Sequence, residues 1–509
     1  MPNTPLNRRD FLKLLGLASL SGLGGGSVWN NKDIDNPDKL PNILIVVFDA
    51  LSAKHVTLHG YHRETTPNLA RIAERSTVFH NHYAGGNFTT PGTASLLTGT
   101  YPWSHRGLHI YGTVAREYVD RNIFSLLKDS YFTAAYSHNP LATLLLRQFG
   151  QHIDYLPRME TLTLTANTYS EIFFPDDFSA AYWGEFILRG FNKPLPSSLF
   201  LSLLDRFSFL KRVEDVEAQY ADQFPRGLPN NLDDLFFTLE TAIDWIQTQV
   251  SIMPQPFLGY FHLWPPHSPY NPRREFIGLF DDGWTATPKP THHFDDGSDH
   301  ETLNKLWRNY DEYIAYLDSE FGRLYDYMEV NGINQNTYLI FTTDHGEMFE
   351  RGIYGHTTPT LYEPIIKIPL MISRPGGKTR QDITTPTNNV DLLPTLLQLA
   401  GKPVPDWVEG QILPTFDGSN EPQERGLFAI DAKQNAKRGP ITRGTIALVK
   451  YPYKLIHYSG YNDFETEYEL YDLSQDPEEL VDRYPTNPSI AADLRDELHD
   501  QLDRSNQDM

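Results

Sequence analysis

Cysteine is absent from all 509 residues. That excludes disulfides, thiolate nucleophiles and Cys-ligated metals, and it leaves the redox compartment undetermined by cysteine usage. Basic residues are scarce: 43 Lys and Arg stand against 65 Asp and Glu, a formal charge of -22. A surface of that sign argues against nucleic acid as a partner, because phosphate backbones select basic faces. Beyond the N-terminal segment, no apolar run has the length that spans a bilayer. Internal repeats and low-complexity tracts are also missing. What the chain does have is material for burial. Aromatic residues make up 13%, and the length suits one large α/β domain plus a smaller one.

The N-terminus reads as an address. In NRRDFLKLLGLASLSGLGGG, Arg8 and Arg9 precede Phe11, Leu12 and Lys13 and then a weakly apolar run rich in Gly and Ser. Residues 1–28 have the form of a twin-arginine export signal, which makes the twin-arginine translocase a partner and the periplasm or the exterior the destination. Small-x-small sites near Ser21 and Ser27 are weak, so a tether through an uncleaved signal is the alternative. Export of a folded protein suits an enzyme that must take up a metal first. Residues 29–41 form a polar linker.

From there the texture alternates. NILIVVF (42–48) is a continuous, β-branched apolar run, as a buried parallel strand would be. TPNLARIAERS and IFSLLKDS read as helices, and YFTAAYS as a strand. LDDLFFTLETAIDWIQTQV reads as a long amphipathic helix, PFLGYFHLW as a strand, RNYDEYIAYLDSEFGRLYDYM as a helix, TYLIFTT as a strand, and VDLLPTLLQLAG as a helix ending at Gly401. Such alternation predicts a mostly parallel sheet flanked by helices, over 42–402. Residues 403–509 change character, with TIALVKYPYKLIHY and YELYDLSQDPEEL before a closing helix. They predict a smaller C-terminal α+β subdomain. The segment at about 170–215, rich in Phe and Leu, breaks the sheet pattern and is expected to be a helical insertion over the pocket. Its apolar residues also suit a membrane surface, but the net negative charge opposes that contact.

In parallel sheets, chemistry collects at the carboxyl ends of strands. Asp49 directly follows the first strand, and Asp344 and His345 directly follow TYLIFTT. The stretch NFTTPGTASLLTG begins a helix, with Pro91 near its start and a threonine at or next to its N-cap. Singly, each residue reads as a turn or a cap. Jointly, they bring a carboxylate, a Thr hydroxyl and a carboxylate–imidazole pair to one rim, as a metal site with a bound nucleophile would need. A neutral hydroxyl is a poor nucleophile. A divalent cation stabilises its alkoxide, and a helix N-terminus favours an anionic ester.

This joint pattern resembles the sulfatase family of the alkaline phosphatase superfamily. The resemblance is carried by PNILIVVFDALSAKHVTLHGYHRETTPNLARIAERSTVFHNHYA, TTPGTASLLTGTYP, FHLWPPHSPYNP, TTDHGEMFERGIYGHTTPTLYEPIIKIPLMIS, VDLLPTLLQLAGKPVP and YELYDLSQDPEE. The family motif Cys/Ser-x-Pro-x-Arg puts Thr89 at the nucleophile position and Thr93 at that of the arginine. In sulfatases the Cys or Ser is oxidised to formylglycine, and threonine cannot give that aldehyde. The resemblance therefore implies direct attack by the Thr89 alkoxide, with Thr90 as the other candidate and the expected N-cap. Family members begin with Asp-Asp and end with Asp-Asn or Asp-Gln, whereas here Ala50 follows Asp49 and His345 follows Asp344. Losing a carboxylate and gaining an imidazole shifts the expected cation from calcium toward zinc or manganese.

The same resemblance implies further roles. His267 would contact the ester oxygens or protonate the leaving group, and His356 stands near the position of a lysine that assists departure. His138 or Asn139 would face the substrate, and His262 fits a strand as well as a site. His62, His80 and His82 are expected to be structural. The metal set is Asp49, Thr89, Asp344 and His345. The implied activity is metal-dependent hydrolysis of sulfate or phosphate esters, on a small molecule, glycan or lipid, through a covalent enzyme intermediate. Phosphate and phosphonate esters are slightly favoured. The alternatives are transfer of the group to another alcohol, as in phosphoglycerol or phosphoethanolamine transferases, and a silent binding protein.

Overall fold

A mixed sheet of eight strands organises the larger, N-terminal part of the chain. The computed structural model describes residues 40–165, 199–231, 235–416, 418, 425–462, 464 and 467–507. The expected signal at 1–28, most of the linker and much of the insertion at about 170–215 lie outside them. Its first strands are β1 (Asn42–Phe48), β2 (Thr77–Tyr83) and β3 (Phe132–Ser137). A two-residue ladder, β4 (Asn230–Asn231) and β5 (Leu235–Phe236), stands apart, followed by β6 (Phe257–Leu263) and β7 (Thr337–Thr342). A hairpin of β8 (Met348–Glu350) and β9 (Ile353–Gly355) precedes β10 (Lys367–Ser373), β11 (Gln381–Ile383) and β12 (Thr387–Asn388). The sheet order is β11-β2-β10-β7-β1-β6-β3, with β12 also on β2. Strand β10 alone runs against the rest.

The central strands are apolar throughout because both faces are covered. All seven residues of β1 and of β6 are buried, which is the pattern of a parallel strand between two helical layers. Ile43, Ile45, Val47 and Tyr260 pack with Leu96, Leu97, Leu393 and Leu396, contributed by helices Thr89–Thr98 and Leu392–Leu399. Helices Leu239–Ile252 and His300–Val330 pack against each other.

Two boundaries differ from the sequence reading. The long helix expected from residue 232 begins only at Leu239, where the Thr238 hydroxyl accepts the Thr241 N–H at 3.3 Å. The apolar residues before it, Leu235 and Phe236, are strand β5, since a short apolar run carries no period that separates strand from helix. Helix Thr89–Thr98 is not capped by a threonine. Phe88 occupies the N-cap with extended backbone, and the Thr90 hydroxyl instead donates to the Ile110 carbonyl at 2.9 Å.

The C-terminal segment forms an antiparallel sheet of β13 (Leu427–Asp431), β14 (Gly444–Lys450), β15 (Tyr453–Ser459) and β16 (Tyr468–Asp472), closed by helix Pro488–Gln507. Alternation sends its residues to two cores. Ile446, Leu448, Leu455 and Leu470 meet Leu494 and Leu498 of the closing helix. Ala447, Val449 and Ile456 meet Leu361, Tyr362, Ile365 and Ile366 of the larger part. Lys454, fully buried on β15, is paired with Glu479 at 2.7 Å and Glu363 at 3.3 Å. No helix among the described residues is long and apolar enough to cross a membrane.

Candidate active site

Four adjacent strands, in the order β7-β1-β6-β3, reach one rim of the sheet. Val47 is in register with Thr342 on one side and His262 on the other, and Ser137 is in register with His262. Asp49 therefore emerges level with Asp344, and Asn139 beside them. Helix Thr89–Thr98 is pressed onto this rim. A Cβ at Gly92 would collide with the backbone carbonyl of Asp344, so glycine permits the approach that brings Thr89 to the carboxylates.

The cluster is tight and buried. Asp49, Asp344 and His345 each offer one ligand atom, all within 4.8 Å of one another, and all three are fully buried. His345 Nε2 lies 3.5 Å from Asp49 Oδ1, 3.6 Å from Asp344 Oδ2 and 3.5 Å from Thr89 Oγ1. Its Nδ1 is 2.9 Å from the Gly346 carbonyl, to which it donates. That fixes the tautomer and turns the Nε2 lone pair to the cluster, as a metal-ligating histidine requires. Asp49 Oδ1 is buried with no hydrogen-bond partner among the described residues. A buried anionic oxygen without a donor calls for a cation. The donor set of two carboxylates, an imidazole and a hydroxyl fits a divalent ion.

Asn139 links the parts. Its Oδ1 caps helix Pro140–Gln148 by accepting from Leu141 N at 2.7 Å and Ala142 N at 3.3 Å. Its amide nitrogen must then donate, and it does so to Thr89 Oγ1 at 3.1 Å and to Asp49 Oδ2. Thr89 is thus an acceptor in this bond, a polarity that suits an alkoxide. No side chain caps helix Thr89–Thr98, whose N-cap is Phe88. Ala50, where family members carry a second aspartate, has φ +61 and donates its N–H to Asp344 Oδ1 at 3.4 Å. Tyr310 holds this turn by donating to the Ala50 carbonyl at 2.6 Å and accepting from Ser52 N at 2.9 Å.

His262 belongs to the cluster. Its Nε2 stands 3.2 Å from Asp49 Oδ2 and 3.8 Å from Asp344 Oδ2. Burial opposes charge on both partners, but the two carboxylates raise the His262 pKa and the His262 hydrogen bond holds Asp49 below the usual carboxylate range. His356 and His267 form a second tier. The His356 ring centre is 4.2 Å from that of His345 and 5.0 Å from that of His267. Burial, then the charge of His345, pushes His356 down to about 3, and burial lowers His267.

Of the residues read from sequence, Asp49, Thr89, Asn139, Asp344 and His345 converge, with His267 and His356 beside them. His138 and Thr90 do not. His138 is fully buried and stacks 4.1 Å from Phe237, and neither ring nitrogen has a hydrogen-bond partner among the described residues. The two neighbours, just past the end of β3, take different partners: Asn139 caps helix Pro140–Gln148 and donates to Thr89 and Asp49, whereas His138 stacks on Phe237. Thr93, at the arginine's place, donates to Asp344 Oδ2 at 3.4 Å. Sequence reasoning missed Glu347, which is 1% exposed and 2.9 Å from His356 Nδ1. Burial pushes its carboxyl up to about 7.

A profile of the family "Sulfatase" matches residues 41–402, and one of "N-sulphoglucosamine sulphohydrolase, C-terminal" matches residues 350–508. The choline-sulfatase of Rhizobium meliloti is 27% identical over 476 residues, covering 87% of this chain and 84% of that protein. The multifunctional alkaline phosphatase superfamily protein PehA of Trinickia caryophylli is 22% identical over 89% of this chain and 93% of its own. The crystal structure of the phosphonate monoester hydrolase of Agrobacterium radiobacter has the same fold, with TM-score 0.64 and 18% identity over 91% of this chain and 96% of that one. With the profile spanning most of its length and the rim built as described, this chain belongs to the sulfatase family of the alkaline phosphatase superfamily, a family of ester hydrolases.

Proposed function

We propose that this protein is an exported, metal-dependent hydrolase in which Thr89 attacks a sulfate or phosphate ester and is transiently esterified. The observation that carries the reading is the convergence of Thr89 Oγ1, Asp49, Asp344 and His345 in one buried cluster at the head of an uncapped helix. Asp49, Asp344, His345 and Thr89 would hold the ion, with zinc or manganese favoured over calcium because an imidazole replaces a carboxylate. A divalent cation held there would lower the cost of the Thr89 alkoxide and would withdraw charge from the ester oxygens.

The chain's own residues supply the rest. Asn139 Nδ2 orients Thr89 Oγ1, and the first-turn N–H groups of its helix favour the anionic centre. Attack forms the bond from Oγ1 to phosphorus or sulfur and breaks the bond to the leaving oxygen. His356 donates the proton that oxygen needs, and His267 binds the remaining ester oxygens. Water then cleaves the esterified threonine and returns the proton. A threonine that cannot become formylglycine favours phosphate and phosphonate esters over sulfate. Names among the relatives span choline-sulfatase and phosphonate monoester hydrolase, so both classes belong in the trial.

The test is a panel of matched aryl esters (sulfate, phosphate monoester, phosphodiester and phosphonate) with the full chain and its Thr89→Ala variant. The expected result is turnover of at least one class, reduced by several powers of ten in the variant. Full activity in Thr89→Ala would overturn the nucleophile. A metal-loaded protein inert toward the whole panel would instead favour the binding-protein alternative, and product appearing as a new ester with added alcohol would favour transfer.

A further inference from the structure

A pair that the reaction above leaves half used sits at the open end of the β8–β9 hairpin. Met348 pairs with Gly355, so the next position outward sets Glu347 across from His356. Their side chains meet, Glu347 Oε1 to His356 Nδ1 at 2.9 Å. The other oxygen of Glu347 accepts from the Tyr270 hydroxyl at 3.2 Å, and Tyr270 packs edge-on against Tyr310 and Phe349. The carboxyl group is therefore fixed at both oxygens within a packed aromatic wall.

His356 is fixed from its other side as well. Asn87, two residues before Thr89, donates through Nδ2 to the His356 carbonyl at 3.0 Å and to the Thr358 carbonyl at 2.8 Å. The imidazole is held over His345 with Nδ1 engaged by Glu347. Among the described residues, no hydrogen bond to His356 Nε2 is formed. Of the two ring nitrogens, only Nε2 is left to meet a ligand.

We propose that Glu347 is a positioning residue for the ester hydrolysis, holding the His356 imidazole by Nδ1 so that the proton on Nε2 is aimed at the leaving oxygen. This rests on the reading of His356 given above and extends it. A carboxyl–imidazole pair then takes the place of the lysine that the family resemblance puts near this position. Nδ1 faces the Glu347 carboxyl, so Nε2 is the nitrogen left to carry a proton toward the substrate. As the bond to the leaving oxygen breaks, Nε2 gives its proton to that oxygen while Glu347 keeps Nδ1 in place. The water that later cleaves the esterified threonine returns a proton to Nε2. A lysine needs no such partner, whereas an imidazole without one would rotate or present the wrong nitrogen.

The experiment compares two aryl esters of the class the enzyme turns over, one with a p-nitrophenol and one with a phenol leaving group. It is run on the wild type, Glu347→Leu, Glu347→Gln, His356→Ala and the double variant Glu347→Leu/His356→Ala, each with metal content and melting temperature recorded. The expected result is a loss on the order of a hundredfold for the phenyl ester and much less for the p-nitrophenyl ester, in both Glu347→Leu and His356→Ala. The double variant should be no worse than His356→Ala, and Glu347→Gln, which keeps an oxygen for Nδ1, should recover part of the loss. Equal loss on both esters in Glu347→Leu, with a selective loss in His356→Ala, would overturn the inference alone. Equal loss on both esters in His356→Ala would overturn the role of His356 and the inference with it. If Glu347→Leu does not fold, Glu347→Gln decides: leaving-group dependence indistinguishable from wild type, together with additivity with His356→Ala, would overturn the inference.

Discussion

At the scale of single residues, the site is a problem of buried charge. Two carboxylates share one buried cluster, and one oxygen of Asp49 has no donor among the described residues. His262 offsets part of that charge and a cation would offset the rest. Asp344→Ala removes one charged ligand from a small set. It should lose most bound metal, read by elemental analysis, and nearly all activity, while metal content equal to wild type would show that Asp344 is not a ligand. Residues beside strand ends were legible in the sequence because an apolar run announces where the strand stops: Asp49, Asp344 and His345 follow from that alone. His138 and Asn139 could not be separated so simply. Only the cap on helix Pro140–Gln148 and the stacking on Phe237 show which of the two neighbours faces inward.

At the scale of elements, the decisive contact is between a helix and a loop. Helix Thr89–Thr98 reaches the Asp344 loop through Gly92. In an exposed helix interior Gly→Ala gains about 1 kcal/mol from propensity. Here the added methyl would meet the Asp344 carbonyl, and overpacking of this kind costs about 1–3 kcal/mol. Gly92→Ala should therefore lower the melting temperature and move Thr89 away from the cluster, cutting kcat far more than a surface variant would. A melting temperature raised above wild type, with kcat intact, would show that the helix tolerates displacement. The sequence marks this helix by its proline and threonines but not its true N-cap. Glu347 was hidden for a related reason. Its partner His356 returns across a hairpin, and no local period links the two positions.

At the scale of the whole molecule, the C-terminal sheet is buried on both faces, one against its own helix and one against the catalytic part. Lys454, with Glu363 and Glu479, lies in that second contact. Removing one member of a buried ion group leaves the others uncompensated, at about 3–5 kcal/mol. Lys454→Ala should lower the unfolding free energy by that much, read from denaturant titration, and a change within error would show that the charges contribute little to docking. The change in texture after residue 402 did announce a sheet of other character, but composition alone could not show that both its faces are covered. Export is a further proposal at this scale. Changing Arg8 and Arg9 to Lys should leave the protein in the cytoplasm, as read by fractionation, and normal appearance outside it would refute the twin-arginine reading.

The central claim is that Thr89, unmodified, carries the transferred group. The most direct measurement is peptide mass analysis of wild-type enzyme quenched during turnover of its best ester. The account predicts a phosphoryl or sulfuryl adduct on the peptide bearing Thr89, located on that residue by fragmentation and absent from Thr89→Ala. An adduct on Thr90, or steady turnover with no adduct on any threonine of that peptide, would contradict it.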